Sequence, residues 1–234
     1  MMRSKVAVIS GASRGIGKSI AERYAREGAK LVISAHSEGP LLEVRDELKS
    51  IGTECVGVVA DMAVEDDVKN FIQTAFNSFG RIDVLVNNAG FGMFKPVTEM
   101  STEEYDRLFD VNMRGTFIAT RESLKHMMRQ NDGVIINIAS LAGKNAIENG
   151  AVYAATKWAM LGFGKSIMLE VRKHNIRVIT ICPGSVDTDF SLNPSTNREK
   201  ILKPEDVAEA AVLAASLPAR AMMSEVDLRP TNPR

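Results

Sequence analysis

Lys5-Val6-Ala7-Val8-Ile9-Ser10-Gly11-Ala12-Ser13-Arg14-Gly15-Ile16-Gly17 is the stretch that decides the fold. Its first half is a short β-branched apolar run, as expected of a strand covered on both faces. Its second half turns on three glycines into a helical pattern that starts near residue 15. Glycines let the backbone turn tightly and come close to a ligand. The start of the helix adds free N–H groups and the positive end of its dipole, so the turn suits a pyrophosphate. The spacing is G-x-x-x-G-x-G, not G-x-G-x-x-G. Gly17-Lys18-Ser19 ends like a P-loop, but that pattern needs glycine where Ala12 stands, which argues against a nucleotide triphosphatase.

Outward from this turn, similar apolar runs predict strands at 5–10, 30–35, 54–60, 82–87, 133–139, 176–182 and 225–229. Helical patterns separate them at 15–27, 40–51, 64–79, 101–130, 151–174 and 204–217. Ser101-x-x-Glu104 reads as a capping box, Pro204 as a first helical residue, and Gly28 and Gly80 as the residues just past helix ends. Strands alternating with helices, undivided by any linker, predict one α/β domain over residues 1–234. The expected architecture is a Rossmann-type doubly wound sheet of about seven parallel strands, with helices on both faces.

Lys plus Arg and Asp plus Glu both number 29, and no basic block breaks the balance, so nucleic acid is not an expected partner. Apolar runs too short to cross a bilayer, and an N-terminus passing straight into a strand, predict a cytoplasmic chain without membrane partners. Cys55 and Cys182 fall inside strand runs and are expected reduced and buried. His36, His126 and His174 lack ligand spacing, so no metal is expected.

Tyr153-Ala154-Ala155-Thr156-Lys157 sits in a predicted helix, where i and i+4 share a face. A free phenol titrates at about 10, and a fixed cation nearby brings it down toward a useful range. Ser140 follows the fifth strand, and Asn87-Asn88-Ala89-Gly90 ends the fourth. Both lie at strand carboxyl ends, where open α/β sheets bind ligands, whereas Asn112 falls mid-helix.

The ordered set SGASRGIG, Asp61, NNAG at 87–90, Asn112, Ser140, YAATK at 153–157 and PGSVDT at 183–188 resembles the short, non-extended type of the short-chain dehydrogenase/reductase family. It is similar to 3-oxoacyl carrier-protein reductase-like and carbonyl reductase-like members. The resemblance implies hydride transfer between a nicotinamide and a carbonyl or alcohol. Tyr153 would be the general acid/base, and Lys157 would lower its pKa and hold the ribose hydroxyls. Ser140 would orient the substrate oxygen, and Asn112 would hold a water in a proton relay. The resemblance also implies cofactor contacts from Gly11, Ser13, Arg14, Gly15, Ile16 and Gly17 in the turn, and from His36 and Ser37 after the second strand. Asp61 and Met62 would lie toward the adenine, Asn88 and Gly90 at the adenosine side, and Pro183, Gly184, Val186 and Thr188 by the carboxamide. Asn87 reads as a structural bridge between strands.

Ser34-Ala35-His36-Ser37 offers no carboxylate for a ribose 2′-hydroxyl, while Arg14, His36 and Ser37 can donate to a 2′-phosphate. This favours NADP(H) and leaves NAD(H) open. Residues 189–203 are expected to form a short lid over an open pocket. The ending SEVDLRPTNPR lacks the glycine-rich close of many members, so no subfamily is assigned. Helix 151–174 is apolar on nearly every side, which predicts a homodimer or homotetramer. The leading expectation is an NADPH-dependent ketone or aldehyde reductase. A secondary-alcohol or sugar dehydrogenase using NAD(P)+, and a non-catalytic cofactor-binding regulator, stay open.

Overall fold

A computed structural model describes residues 2–190 and 197–231, so residues 191–196 of the expected lid lie outside the described part. All seven expected strands are present: β1 (Val6–Ile9), β2 (Lys30–Ala35), β3 (Cys55–Val59), β4 (Val84–Asn87), β5 (Gly133–Ile138), β6 (Ile176–Pro183) and β7 (Glu225–Leu228). They form one parallel sheet in the order β3-β2-β1-β4-β5-β6-β7.

The β1, β4 and β5 runs are buried throughout, and apolar but for the paired Asn87 and Asn137, because both of their faces are covered. Successive residues point to opposite sides. Ala7 and Ile9 pack with Leu31, Ile33 and Val86 against helices α1 (Gly15–Arg26), α2 (Glu38–Ser50) and α7 (Pro204–Ser216). Val8 joins Val32 and Leu85 on the other face. There they meet α3 (Glu65–Phe79), α5 (Gly115–Gln130) and α6 (Ala151–Val171). Each fully buried Leu or Ile contributes about 2–3 kcal/mol of burial, so these two layers hold the sheet between its helices. The buried Tyr24 ties α1 to α7 by donating to the Ala211 carbonyl at 3.1 Å. Cys55 and Cys182 are free and buried, as expected.

Helix ends follow their sequence signals. Ser101 Oγ accepts from the Glu104 N–H and the Glu104 carboxylate accepts from the Ser101 N–H, which completes the capping box. Pro204 opens α7, and Gly28 and Gly80 take left-handed φ values of 81° and 71° past their helices. The expected single helix at 101–130 is the exception. It divides into α4 (Thr102–Phe109), a π-helical turn (Asp110–Arg114) and α5. Tertiary contacts explain the division. The Asn112 amide is pinned to the Phe91 backbone, and at Gly115 a Cβ would lie 2.5 Å from the Met62 carbonyl oxygen. The extra residue of the π turn satisfies both demands. Helix 151–174 likewise ends early, passing from α6 into a 3-10 turn at Arg172–His174.

The strand order reverses between β1 and β4, opening a crevice at their carboxyl ends. Among the described residues, no helix is long and apolar enough to cross a membrane.

Candidate active site

The crevice holds a cavity of about 1000 Å³ bordered by the loops that leave β1, β2, β3, β4, β5 and β6. Its floor is the glycine turn. Gly11 and Gly15 adopt φ of 66° and 54°, which favour glycine, and a Cβ on Gly15 would press on the Thr188 methyl at 3.2 Å. Gly17 lies beneath rather than on the cavity wall. A Cβ there would meet the Gly11 oxygen at 2.2 Å and the Asn88 Nδ2 at 2.4 Å. Asn88 in turn donates to the Ser10 and Gly11 carbonyls at 3.0 and 2.9 Å, while Ser10 Oγ accepts from the Asn88 and Ala89 N–H groups. The end of β4 therefore clamps the turn in shape. This preformed cradle at the N-terminus of α1 fits the diphosphate of a dinucleotide.

Ser13, Arg14, Gly15, Ile16, His36, Asp61 and Met62 line one end of the cavity. Ser37 starts α2 and stays off the wall. Arg14 is exposed, with the Asp189 carboxylate 3.9 Å from its guanidinium. Asp61 accepts from the Ala63 N–H at 2.9 Å and from Arg107 at 2.9 Å. Burial pushes its carboxyl upward, but these hydrogen bonds and the charges of Arg107 and His36 hold it below the usual range. Arg107 was missed by sequence reasoning because it reaches Asp61 from a helix 46 residues away, and no local spacing signals that contact.

Asn88, Gly90, Ser140, Tyr153, Lys157, Pro183, Gly184, Val186 and Thr188 line the rest. The first turns of α6 carry Tyr153 and Lys157. The Tyr153 ring lies between Phe94 and Phe190, with centroids 5.3 and 5.7 Å away. Phe94 carried no sequence signal, whereas Phe190 falls in the segment expected to form the lid. Lys157 Nζ donates to the Ile138 carbonyl at 3.0 Å and sits 5.9 Å from the centre of the Tyr153 ring. Ser140 Oγ accepts from the Ala142 N–H at 3.1 Å, fixing its side chain just beyond β5.

One expectation needs correction. The phenol is not brought down in this structure: burial raises the Tyr153 pKa, only partly opposed by its hydrogen bond with Ser140. Burial also pushes Lys157 down to about 8. Desolvation dominates at both groups because both are withdrawn from water. Asn112 is buried behind the wall, where its side chain has partners in the protein. Its Oδ1 accepts from the Phe91 N–H at 3.0 Å, and its Nδ2 donates to the Phe91 carbonyl and to Thr156 Oγ1. With its N–H groups used, it braces the loop after β4 from behind the wall. Asn87 bridges as read, donating from β4 to Asn137 on β5 and to Thr120.

A glycine cradle, a phenol and an ammonium on one helical face, and a serine at the end of β5 now stand around one cavity. The sequence model of the short chain dehydrogenase family matches residues 5–199. The chain belongs to that family. This short-chain dehydrogenase is 36% identical over 230 residues to an uncharacterized oxidoreductase of Staphylococcus saprophyticus, covering 98% of each. It is similar to a metagenomic short-chain oxidoreductase solved in complex with NADP, at 36% identity, TM-score 0.88 and 99% coverage of both chains. It is also similar to the 3-ketoacyl-(acyl-carrier-protein) reductase of Brucella melitensis complexed with NADH, at 32% identity, TM-score 0.92 and 99% coverage of both. The chain is an oxidoreductase.

Proposed function

We propose that this short-chain dehydrogenase reduces a ketone or aldehyde to an alcohol with NADPH, and that Tyr153 delivers the proton. The observation that carries the reading is the Tyr153 phenol, exposed only to the cavity, beside Ser140 and one helical turn from Lys157.

When bound, the nicotinamide supplies the hydride. The protein does the rest. Ser140 hydrogen-bonds the carbonyl oxygen and sets its angle, while the Tyr153 O–H donates to the same oxygen and gives up its proton as that oxygen gains charge. Burial raises the pKa of the phenol, so the proton needed for reduction is in place at neutral pH. Lys157 holds the ribose hydroxyls, and its nearby charge offsets the phenolate left after transfer. Asn112 is a positioning residue that braces the wall at Phe91.

Gly11, Ser13, Gly15 and Ile16 would hold the diphosphate end of the cofactor, with Gly17 shaping the turn from beneath. Arg14 would meet a 2′-phosphate, and Asp61 and Met62 the adenine. Similar proteins bind NADP in one case and NADH in another. The choice of NADPH rests on Arg14 and on the absence of an acid in Ser34–Ser37. The α5 and α6 faces, which leave Phe117, Trp158 and Leu169 exposed, support a homo-oligomer.

The test is a panel of ketones and aldehydes followed by NADPH absorbance, with Tyr153→Phe alongside. The reading expects turnover of at least one member, and a loss of about 1000-fold or more in the variant, which still binds NADPH. Unchanged turnover in Tyr153→Phe ends the mechanism, and a wild-type preference for NADH ends the cofactor choice.

A further inference from the structure

The geometry points to Arg229 as the anchor for an anionic group on the substrate, so that this enzyme acts on oxo compounds carrying a carboxylate or comparable anion. The inference rests on the reductase reading and deepens it.

Arg229 follows β7 at the sheet edge and lines the same cavity as Tyr153 and Ser140. Its neighbours fix where along the cavity it stands. The Gly184 N–H donates to the Leu228 carbonyl at 2.8 Å. A Cβ on Gly184 would lie 3.2 Å from Pro230 and 3.3 Å from Leu141. Residues 228–230 thus press on Gly184 in the loop after β6, which also packs against Leu141, the residue next to Ser140. Arg229 stands at the reacting end of the cavity, away from Arg14, His36 and Asp61.

Its charge is weakly committed. Among the described residues its ionic partner is Asp227, at 3.5 Å, and Asp227 already has Lys144 as a much closer cation. A guanidinium has five N–H donors in a planar fork, so most of its capacity is open, and its side chain is 57% exposed. The other cavity cations are engaged elsewhere. Lys157 is buried against Ile138, Arg107 holds Asp61, and Arg14 belongs to the glycine turn. Around Tyr153 the wall is apolar, built from Phe94, Leu141, Ile147 and Phe190. An apolar body with the carbonyl at Tyr153 and an anion reaching Arg229 matches both surfaces.

The experiment uses full-length enzyme with NADPH and three aryl oxo acids of increasing carbonyl-to-carboxylate spacing: benzoylformate, benzoylacetate and 3-benzoylpropionate. Each is compared with its methyl ester. At one spacing or more, kcat/KM for the acid is expected to exceed that for the ester by about ten-fold or more, as loss of a charge-assisted hydrogen bond implies. Arg229→Met should bring that ratio to about one, and Arg229→Lys should retain part of it. Turnover of esters with no acid preferred at any spacing overturns this inference alone, as does an acid preference that survives in Arg229→Met. Turnover of neither acids nor esters counts against the reductase reading and takes this inference down with it.

Discussion

Lys157 lies over the ring of Tyr153, its Nζ 5.9 Å from the ring centre, and donates at 3.0 Å to the carbonyl of Ile138 rather than to the phenol oxygen. The pair acts through charge and burial, not through a direct hydrogen bond. Both groups carry a burial cost for their ionised form, and each cost has a measurable pH signature.

For Lys157 the sign runs toward greater stability at alkaline pH. Its folded pKa of about 8 lies below the ordinary 10.5, so between these values the unfolded chain holds a proton that the folded chain has released. Stability attributable to this side chain should therefore rise as pH climbs from about 8 to 10.5, by on the order of 3 kcal/mol. Urea unfolding of wild type and Lys157→Met at pH 7.5 and 10.5 isolates the effect. The wild type should gain on the variant across that interval, and a constant difference contradicts the assignment.

The raised phenol predicts opposite pH behaviour for the two directions of reaction. Reduction needs the protonated phenol, so kcat should be flat through neutral pH and fall only in the alkaline range. Oxidation of the product alcohol needs the phenolate and should rise with pH. Parallel kcat profiles measured in both directions would contradict Tyr153 as the proton donor.

Arg14 is exposed, and among the described residues its ionic partner is the likewise exposed Asp189 at 3.9 Å, so a 2′-phosphate could draw its guanidinium away at little cost. Arg14→Ala should lower kcat/KM for NADPH by about ten-fold or more while changing that for NADH by less than about three-fold. An equal fall with both cofactors would give Arg14 a role in the shared diphosphate instead.

Trp158 and Leu169 are 54% and 62% exposed on α6, three helical turns apart on one face. If a second copy covers them, Trp158→Glu combined with Leu169→Glu should lower the mass found by sedimentation, with the circular dichroism of the fold retained. An unchanged mass places the interface elsewhere or leaves the chain monomeric.

The strands were legible because covered strands need apolar residues on both faces, and a run such as Val6–Ile9 has few other ways to hide its side chains. The glycine turn was legible because the conformations at Gly11 and Gly15 exclude most side chains. The π turn at Asp110–Arg114 was not legible. Its cause is the hold of Asn112 on Phe91 and of Gly115 on Met62, contacts with segments distant in sequence. Arg107 and Arg229 stayed invisible for the same reason, since nothing local distinguishes them from solvated surface cations.

By itself, then, the sequence determined the parallel sheet, the family and the helical face shared by Tyr153 and Lys157, all of which follow from local periodicity and steric need. Tertiary structure decided how those two groups ionise and which distant cations share their cavity. Those outcomes depend on how far each side chain is withdrawn from water, a quantity that exists only once the chain has folded around it.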